Sequence, residues 1–224
     1  MAATVGDVLR RARRILQEKS TDGMRWTNAE LLDWLNESYA FIVGIRPGAN
    51  VVTAELVCVA GTRQAIPATG ERLLDVVRNT APGSNGLAVT PMLRSQLNAA
   101  RPRWHAEPKT DAIEHFLFDE DDPRSFFVYP PAVAGAKLEV SFSAVPAPHA
   151  AAQAKADSAE ALRLPDTYAP ILVDLVLARA FTKDAEGGAN QQRAILHSQA
   201  AQGALGLKIQ GDSTSSPNAE AGAQ

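Results

Sequence analysis

The chain has 224 residues, 46% of them apolar, enough to bury a sizeable core in one or two domains. Its 22 basic and 25 acidic residues leave a formal charge of −3, which excludes a global field for nucleic acid or an anionic membrane. No apolar run approaches the ~18 residues a membrane span needs, and the lone Cys58 excludes an internal disulfide and a multi-cysteine zinc site.

The first zone, to Gly48, reads as helical. MAATVGDVLRRARRILQ sets its basic residues inside an amphipathic pattern rather than ahead of an apolar block, which predicts a helix and not a secretory signal. Thr4 and Asp7 are spaced as a capping pair, and Val5, Val8, Leu9, Ala12, Ile15 and Leu16 fall on one stripe. Arg10, Arg11, Arg13 and Arg14 take the other faces, and Thr21-Asp22-Gly23 marks a turn. RWTNAELLDWLNESYAFIVGIRPG then specifies a second helix with both ends written in. Thr27 and Glu30 form a capping box, Trp26 is placed for a hydrophobic staple, and Arg46-Pro47-Gly48 stops the helix. Its core side is Leu31, Leu35, Ser38 and Ile42, widened by Trp34, Tyr39, Phe41 and Ile45 beyond what one partner helix needs. The two helices predict an αα-hairpin.

The second zone, residues 50–146, changes period. VVTAELVCV, a turn at Ala60-Gly61-Thr62 and RQAIP read as a hairpin, and Cys58 in the first of these reads as a buried, inert thiol. LLDVVRN fits a strand or a helix, its paired valines and the flanking Gly70 and Pro82 favouring the strand, and TPMLRSQLNAARPRW reads as a short helix from Pro91 that ends before Pro102. HFLFDED and SFFVYPP are strands around an acidic turn at Asp122-Pro123-Arg124. AKLEVSFSAVP alternates strictly, with Leu138, Val140 and Phe142 on one face.

In the third zone PAPHAAAQAKADSAEA shows no core-forming pattern and reads as a linker. A long helix follows Leu164-Pro165-Asp166 with Pro170 in its first turn and Ile171, Leu172, Leu175, Val176, Ala178, Ala180 and Phe181 facing the core. Gly187-Gly188 breaks it, and Asn190 to Leu207 resumes with Ala194, Ile195, Ser198, Ala201 and Leu205 on one face. IQGDSTSSPNAEAGAQ has the composition of a tail that orders only on binding.

The fold expected is α+β: a helical bundle over residues 1–49 and 155–208, an inserted antiparallel β domain at 50–146, a linker at 147–154 and an extended C-terminal tail at 209–224. No catalytic motif stands out. His105, His115, Asp119, Glu120, Asp121 and Asp122 match no zinc, two-His-one-carboxylate or EF-hand spacing, so no metal is expected. His149 and His197 read as surface residues, and neither a GxSxG nor a nucleotide-binding glycine motif occurs, so no cofactor is expected. A rival reading makes Arg10, Arg11, Arg13 and Arg14 phosphate contacts of a small nucleic-acid-binding protein. Asp7, Glu18, Asp22, Glu30, Asp33 and Glu37 nearly cancel that charge, and the second helix lacks the polar series of a recognition helix.

In order and spacing, TVGDVLRRARRILQ, RWTNAELLDWLNESYAFIVGIRPGA, GTRQAIP, ERLLDVVRN, WHAEP, FDEDDPRSFFVYPP and LPDTYAPILVDLVLARAFTKDAEGGANQQRAILHSQAAQGALG resemble the head-to-tail adaptor (connector) proteins of tailed phages, above all the short-tailed type. The linker and the tail carry no such pattern. The resemblance implies a structural virion protein made in the host cytoplasm and placed at the head–tail junction. It implies a dodecameric ring docked under the portal protein, facing a tail nozzle, tube or fibres, with genomic DNA passing through the lumen unbound and no membrane involved. On this reading Arg10, Arg13 and Arg14 make polar contacts with neighbours or the portal, Trp26 and Trp34 are packing anchors, and the broad stripe of the second helix (Trp34, Tyr39, Phe41) supplies one of the two adhesive faces a ring subunit needs. Residues 209–224, with Ile209, Asp212, Pro217 and Gln224, form the docking tail.

Overall fold

A computed structural model describes residues 2–18, 25–184 and 188–214. Among them the chain forms five α-helices and two small sheets, a mixed α+β fold. It divides into two compact units, Met1–Arg46 with Pro146–Gln224, and Pro47–Val145. The expected turn at Thr21-Asp22-Gly23, the Gly187 half of the helix break, and Pro217 and Gln224 lie outside the described residues.

The first unit contains α1 (Val5–Ile15), α2 (Asn28–Ile45), α4 (Ala169–Lys183) and α5 (Gly188–Thr214), with α3 belonging to the other unit. Both N-terminal capping boxes form. The Asp7 N–H donates to Thr4 Oγ1 at 3.1 Å while Thr4 N–H donates to the Asp7 carboxylate at 3.0 Å. Thr27 and Glu30 repeat the exchange at 3.3 and 3.1 Å. Each box satisfies two backbone donors that a helix start leaves unpaired.

Helix α4 packs against α1, α2 and α5, and Leu172, Val176, Leu177 and Phe181 of α4, Leu9 of α1, Leu31, Leu35 and Ile42 of α2 and Leu205 of α5 are all buried. Each such side chain contributes roughly 1.5–3 kcal/mol on burial. Several positions depart from the expected stripes: Ile15, Phe41, Ile45 and Ile195 are exposed, and Arg13 is only 6% exposed.

The alanine-rich segment before α4 is not a free linker. Val5 N–H donates to Glu160 O at 2.9 Å, Gly6 N–H to Ser158 O at 3.1 Å, and Leu162 N–H to Ala3 O at 3.1 Å. His149 and Ser158 are buried, which overturns the surface reading of His149. Helix α5 runs past Leu207 to Thr214, so Ile209 and Asp212 sit on a helix rather than in an extended tail.

The second unit holds β1 (Val51–Val57), β2 (Gly61–Ala65), β3 (Arg72–Asn79), β4 (Thr90–Pro91), α3 (Arg94–Ala100), β5 (His115–Phe118), β6 (Ser125–Ala132) and β7 (Lys137–Ser143). The order is β1-β7-β3 in one sheet and β2-β6-β5-β4 in the other. The β1–β2 hairpin expectation is therefore wrong, as is a single, wholly antiparallel sheet: β4 pairs with β5 in parallel. Pairing with β7 from Val51↔Ser143 to Val57↔Lys137 aligns Ala54 and Leu56 with Val140 and Leu138, a gain a local hairpin with RQAIP does not offer. Gly61, at φ +118°, turns the chain out of β1, and the buried Gln64 side chain holds the bend through Val59 N–H and O at 2.9 Å each.

One apolar cluster draws on both sheets, with Leu73, Val76, Leu138, Val140 and Phe142 from one and Phe116, Phe126 and Val128 from the other. Leu97 of α3, Trp104, Leu117 and Tyr129 form a second cluster. Strands β5 and β6 thus bury both faces, which explains their unbroken apolar runs. Helix α3 starts at Arg94, three residues after Pro91, because Thr90 and Pro91 are drawn into β4.

Candidate functional site

The basic face of α1 is largely occupied within the chain. Arg10 ion-pairs with Asp7 and donates to Ala156 O at 3.0 Å. Arg13 is buried and donates to Asn28 Oδ1 at 3.0 Å, so it presents no charge to a partner. Arg11 and Arg14 are exposed. Three exposed guanidiniums on one helix, that of Arg10 already paired, are a weak basis for phosphate binding, which sums over many contacts.

The aromatic residues of the second helical segment part company. Trp26 is buried, donating from its indole N–H to Ala180 O at 2.9 Å, with the Arg25 guanidinium over its ring. Trp34 is half-buried. Tyr39 is wholly buried and belongs to a polar network rather than to a surface. Its Oη lies 2.9 Å from His149 Nε2 and accepts from Arg163 N–H at 3.3 Å, while His149 Nδ1 lies 2.9 Å from Glu160 Oε1. Glu160 also takes a hydrogen bond from Arg163 at 2.6 Å. A carboxylate only accepts, so His149 donates from Nδ1 to Glu160. Burial pushes the Tyr39 phenol up to about 12. The hydrogen bond from His149, with Arg163 beside it, holds the Glu160 carboxyl below its ordinary value. Both Tyr39 and His149 are closed to solvent, so the group ties the chain to α2 and offers no reaction site.

At the far end of α2, Arg46 ion-pairs with Asp212 and donates to Tyr168 Oη at 2.7 Å. Lys208 lies 5.1 Å from the Tyr168 ring centroid and 3.6 Å from Asp212. Leu205 is the last buried residue of α5, and beyond it Arg46, Asp212, Lys208 and Tyr168 tie the turns that carry Ile209 and Asp212.

Among the described residues two apolar surfaces of this unit stay uncovered. An open groove of ≈ 370 Å³ lies between α2, α4 and α5, lined by Phe41, Leu175, Ala178, Ala194, Ile195 and the aliphatic parts of its rim. The rim residues Glu37 and Arg179 pair with each other at 3.4 Å. Around α5, Leu196, Ala200, Gly203 and Leu207 recur at helical spacing roughly opposite the buried Ala194, Ala201 and Leu205. Leu196 is 63% and Leu207 71% exposed. The spacing of this second stripe was readable in the sequence, but the buried stripe on the same helix masked it. The His149 network carried no local signal at all, since Tyr39 lies 110 residues from its partner.

The histidine and acidic residues of the second unit serve local contacts. His105 Nδ1 lies 2.8 Å from Thr62 Oγ1 and His115 Nδ1 2.7 Å from Thr90 Oγ1. Asp119 accepts from Arg94 at 2.9 Å, and Asp122 pairs with Arg63 at 2.7 Å. Among the described residues no group of three or more His, Cys, Asp or Glu is placed to hold a metal ion. Burial pushes the Cys58 thiol up to about 11, far from a nucleophile. Among the described residues no helix is long and apolar enough to cross a membrane.

The residues singled out in the sequence thus serve packing and local polar contacts. No curated protein sequence matches this chain. A family model described as SU10 adaptor protein matches residues 3–221, across both units. The chain belongs to the SU10 adaptor protein family, a family of phage head–tail adaptors, and so has a structural connector role in the virion.

Proposed function

We propose that copies of this chain close into a dodecameric ring that joins the portal of a phage capsid to the tail nozzle, tube or fibres and lets the genome pass. The family match over residues 3–221 carries this reading. The two uncovered apolar surfaces of the helical unit support it, because a ring closed by head-to-tail contacts needs two different adhesive faces on each subunit. A formal charge of −3 suits a lumen that DNA crosses without sticking. Arg10, Arg14 and Trp34 remain candidates for contacts at the subunit rim, whereas Arg13, Trp26 and Tyr39 act inside the subunit. Residues 209–224, including Ile209, Asp212, Pro217 and Gln224, are the segment we assign to portal docking.

Co-sedimentation with the portal assembly of its own phage tests the reading, using the full chain and a form ending at Lys208. The full chain is expected to sediment with the portal, and the shortened form to bind at least about tenfold more weakly, the cost of removing a few ordered contacts. Absence of binding by the full chain contradicts the proposal.

A further inference from the structure

We propose that the outer edge of β1 pairs with β1 of a second copy of the free chain, the two strands running antiparallel about a two-fold axis at Ala54. The pairing does not depend on the ring reading above, because a two-fold contact closes at two copies whereas a ring joint runs head to tail.

Among the described strands β1 is the one undefended edge. The two sheets end in β1, β3, β2 and β4. Strand β3 slips register between Leu73 and Asp75 and again between Val76 and Arg78, and it exchanges backbone hydrogen bonds with Leu87 and Val89. Strand β2 is five residues long with a register shift after Gly61, and β4 has two residues, the second of them Pro91. Bulges, short lengths and prolines of this kind keep sheet edges from pairing with other chains. β1 has none of them. VVTAELV pairs with β7 in unbroken register from Val51 to Val57 and contains no Gly, Pro, Lys or Arg.

The outer backbone of β1 is also open. Asn50 O accepts from Ala144 N–H at 3.3 Å and Cys58 N–H donates to Ala136 O at 2.7 Å, both in step with the β1–β7 register. In an antiparallel ladder these pairs alternate, so Val52, Ala54 and Leu56 turn their backbone groups to β7 while Val51, Thr53, Glu55 and Val57 turn theirs outward. Among the described residues no partner meets those four. Val51 is 49% and Val57 57% exposed, and Thr53 and Glu55 are exposed with them. A row of alternating donors and acceptors is satisfied by another extended strand.

The sequence of β1 then selects its own copy. With Ala54 on the axis, Val51 lies opposite Val57, Val52 opposite Leu56 and Thr53 opposite Glu55. Each apolar residue meets an apolar one, and the only carboxylate meets a hydroxyl. The outward backbone groups of the two strands then face each other. Ala54 and Leu56, which pack on the core, stay on the core side in both copies. Placing the axis at Glu55 instead sets two carboxylates opposite each other, and placing it at Thr53 sets Val51 against Glu55, both poorer pairings. Glu55 brings no unpaired charge, since it already pairs with Lys137 at 2.8 Å and accepts from Thr80 at 2.9 Å.

The test uses the full chain without portal, in sedimentation equilibrium over a range of concentrations. A concentration-dependent dimer is expected. Thr53→Lys sets a cation opposite Glu55 of the second copy and is expected to tighten the dimer at least about threefold. Thr53→Glu sets like charges opposite each other and is expected to weaken it at least about threefold, since two cross-strand pairs change at once. Thr53 is exposed, and a tighter dimer in the lysine variant has no origin in misfolding. Amide exchange adds a readout specific to the strand joint: the N–H groups of Val51, Thr53, Glu55 and Val57 are expected to gain protection as the dimer forms. A chain that stays monomeric at every concentration overturns the proposal. So does a dimer whose affinity moves the same way in both variants, or whose four outward N–H groups gain no protection. None of these results bears on the ring reading, which the portal experiment decides.

Discussion

Tyr39 Oη and His149 Nε2 lie 2.9 Å apart where neither side chain reaches solvent, tying α2 to a stretch whose composition suggests a loose connector. Tyr39→Phe keeps the ring but leaves His149 Nε2 and Arg163 N–H without the hydroxyl. The expected loss is about 1–3 kcal/mol of unfolding free energy, the cost of stranding buried polar groups. Urea unfolding checks this, and a loss below ~0.5 kcal/mol, the range of an ordinary surface change, contradicts it.

The same network sets part of the acid sensitivity. Glu160, whose ordinary value is 4.5, is held lower in the folded state by the His149 hydrogen bond and by Arg163. A depressed folded value means the stabilisation is complete above 4.5 and is lost as pH falls through the folded value. Glu30, held down by Lys183, and Asp7, held down by Thr4, act in the same direction. Melting temperature is therefore expected to drop below that pH, and Glu160→Gln to flatten part of the drop. An unchanged acid limb in the variant removes Glu160 from the account.

Two helical glycines are expected to respond with opposite signs to alanine. A Cβ at Gly6 meets Ser158 O at 2.6 Å and Ala156 O at 2.8 Å, both backbone atoms of the segment bonded to α1. Gly44, on the exposed side of α2, has nothing within 4 Å of its Cβ position. Gly44→Ala is expected to gain about 0.5–1 kcal/mol from helix propensity, and Gly6→Ala to lose stability despite the same intrinsic gain. Thermal melts of the two variants decide it; a stabilised Gly6→Ala shows that the segment 156–158 is not anchored there.

The last turns of α5 hold no buried residue after Leu205, so they are expected to open without global unfolding. Asp212→Ala removes the partner of Arg46 and Lys208. Hydrogen exchange of residues 206–214 should speed up, with overall stability changed by less than about 1 kcal/mol, as for a surface ion pair. Unchanged exchange there contradicts a role for Asp212 in holding those turns.

Local signals fared best where the cause is local. Thr4–Asp7 and Thr27–Glu30 were readable because a capping box is complete within four residues. Leu138, Val140 and Phe142 were readable because β7 has one buried face. β1 and β2 looked like a hairpin because adjacent strands usually pair, and only the apolar register of β1 against β7, some eighty residues on, decides otherwise. Arg13, Tyr39 and His149 were misjudged for one reason: a polar residue is buried when a distant partner satisfies it, and the sequence near it holds no trace of that partner. The family resemblance rested on the order of many weakly specific segments, which the match over residues 3–221 bears out.

The most direct test of the central claim is an electron-microscopy image of the full chain mixed with its phage's portal. The account predicts a closed ring of adaptor subunits stacked on one end of the portal with an open central channel. Portal particles with bare ends at saturating adaptor, or adaptor scattered along DNA instead, contradict it.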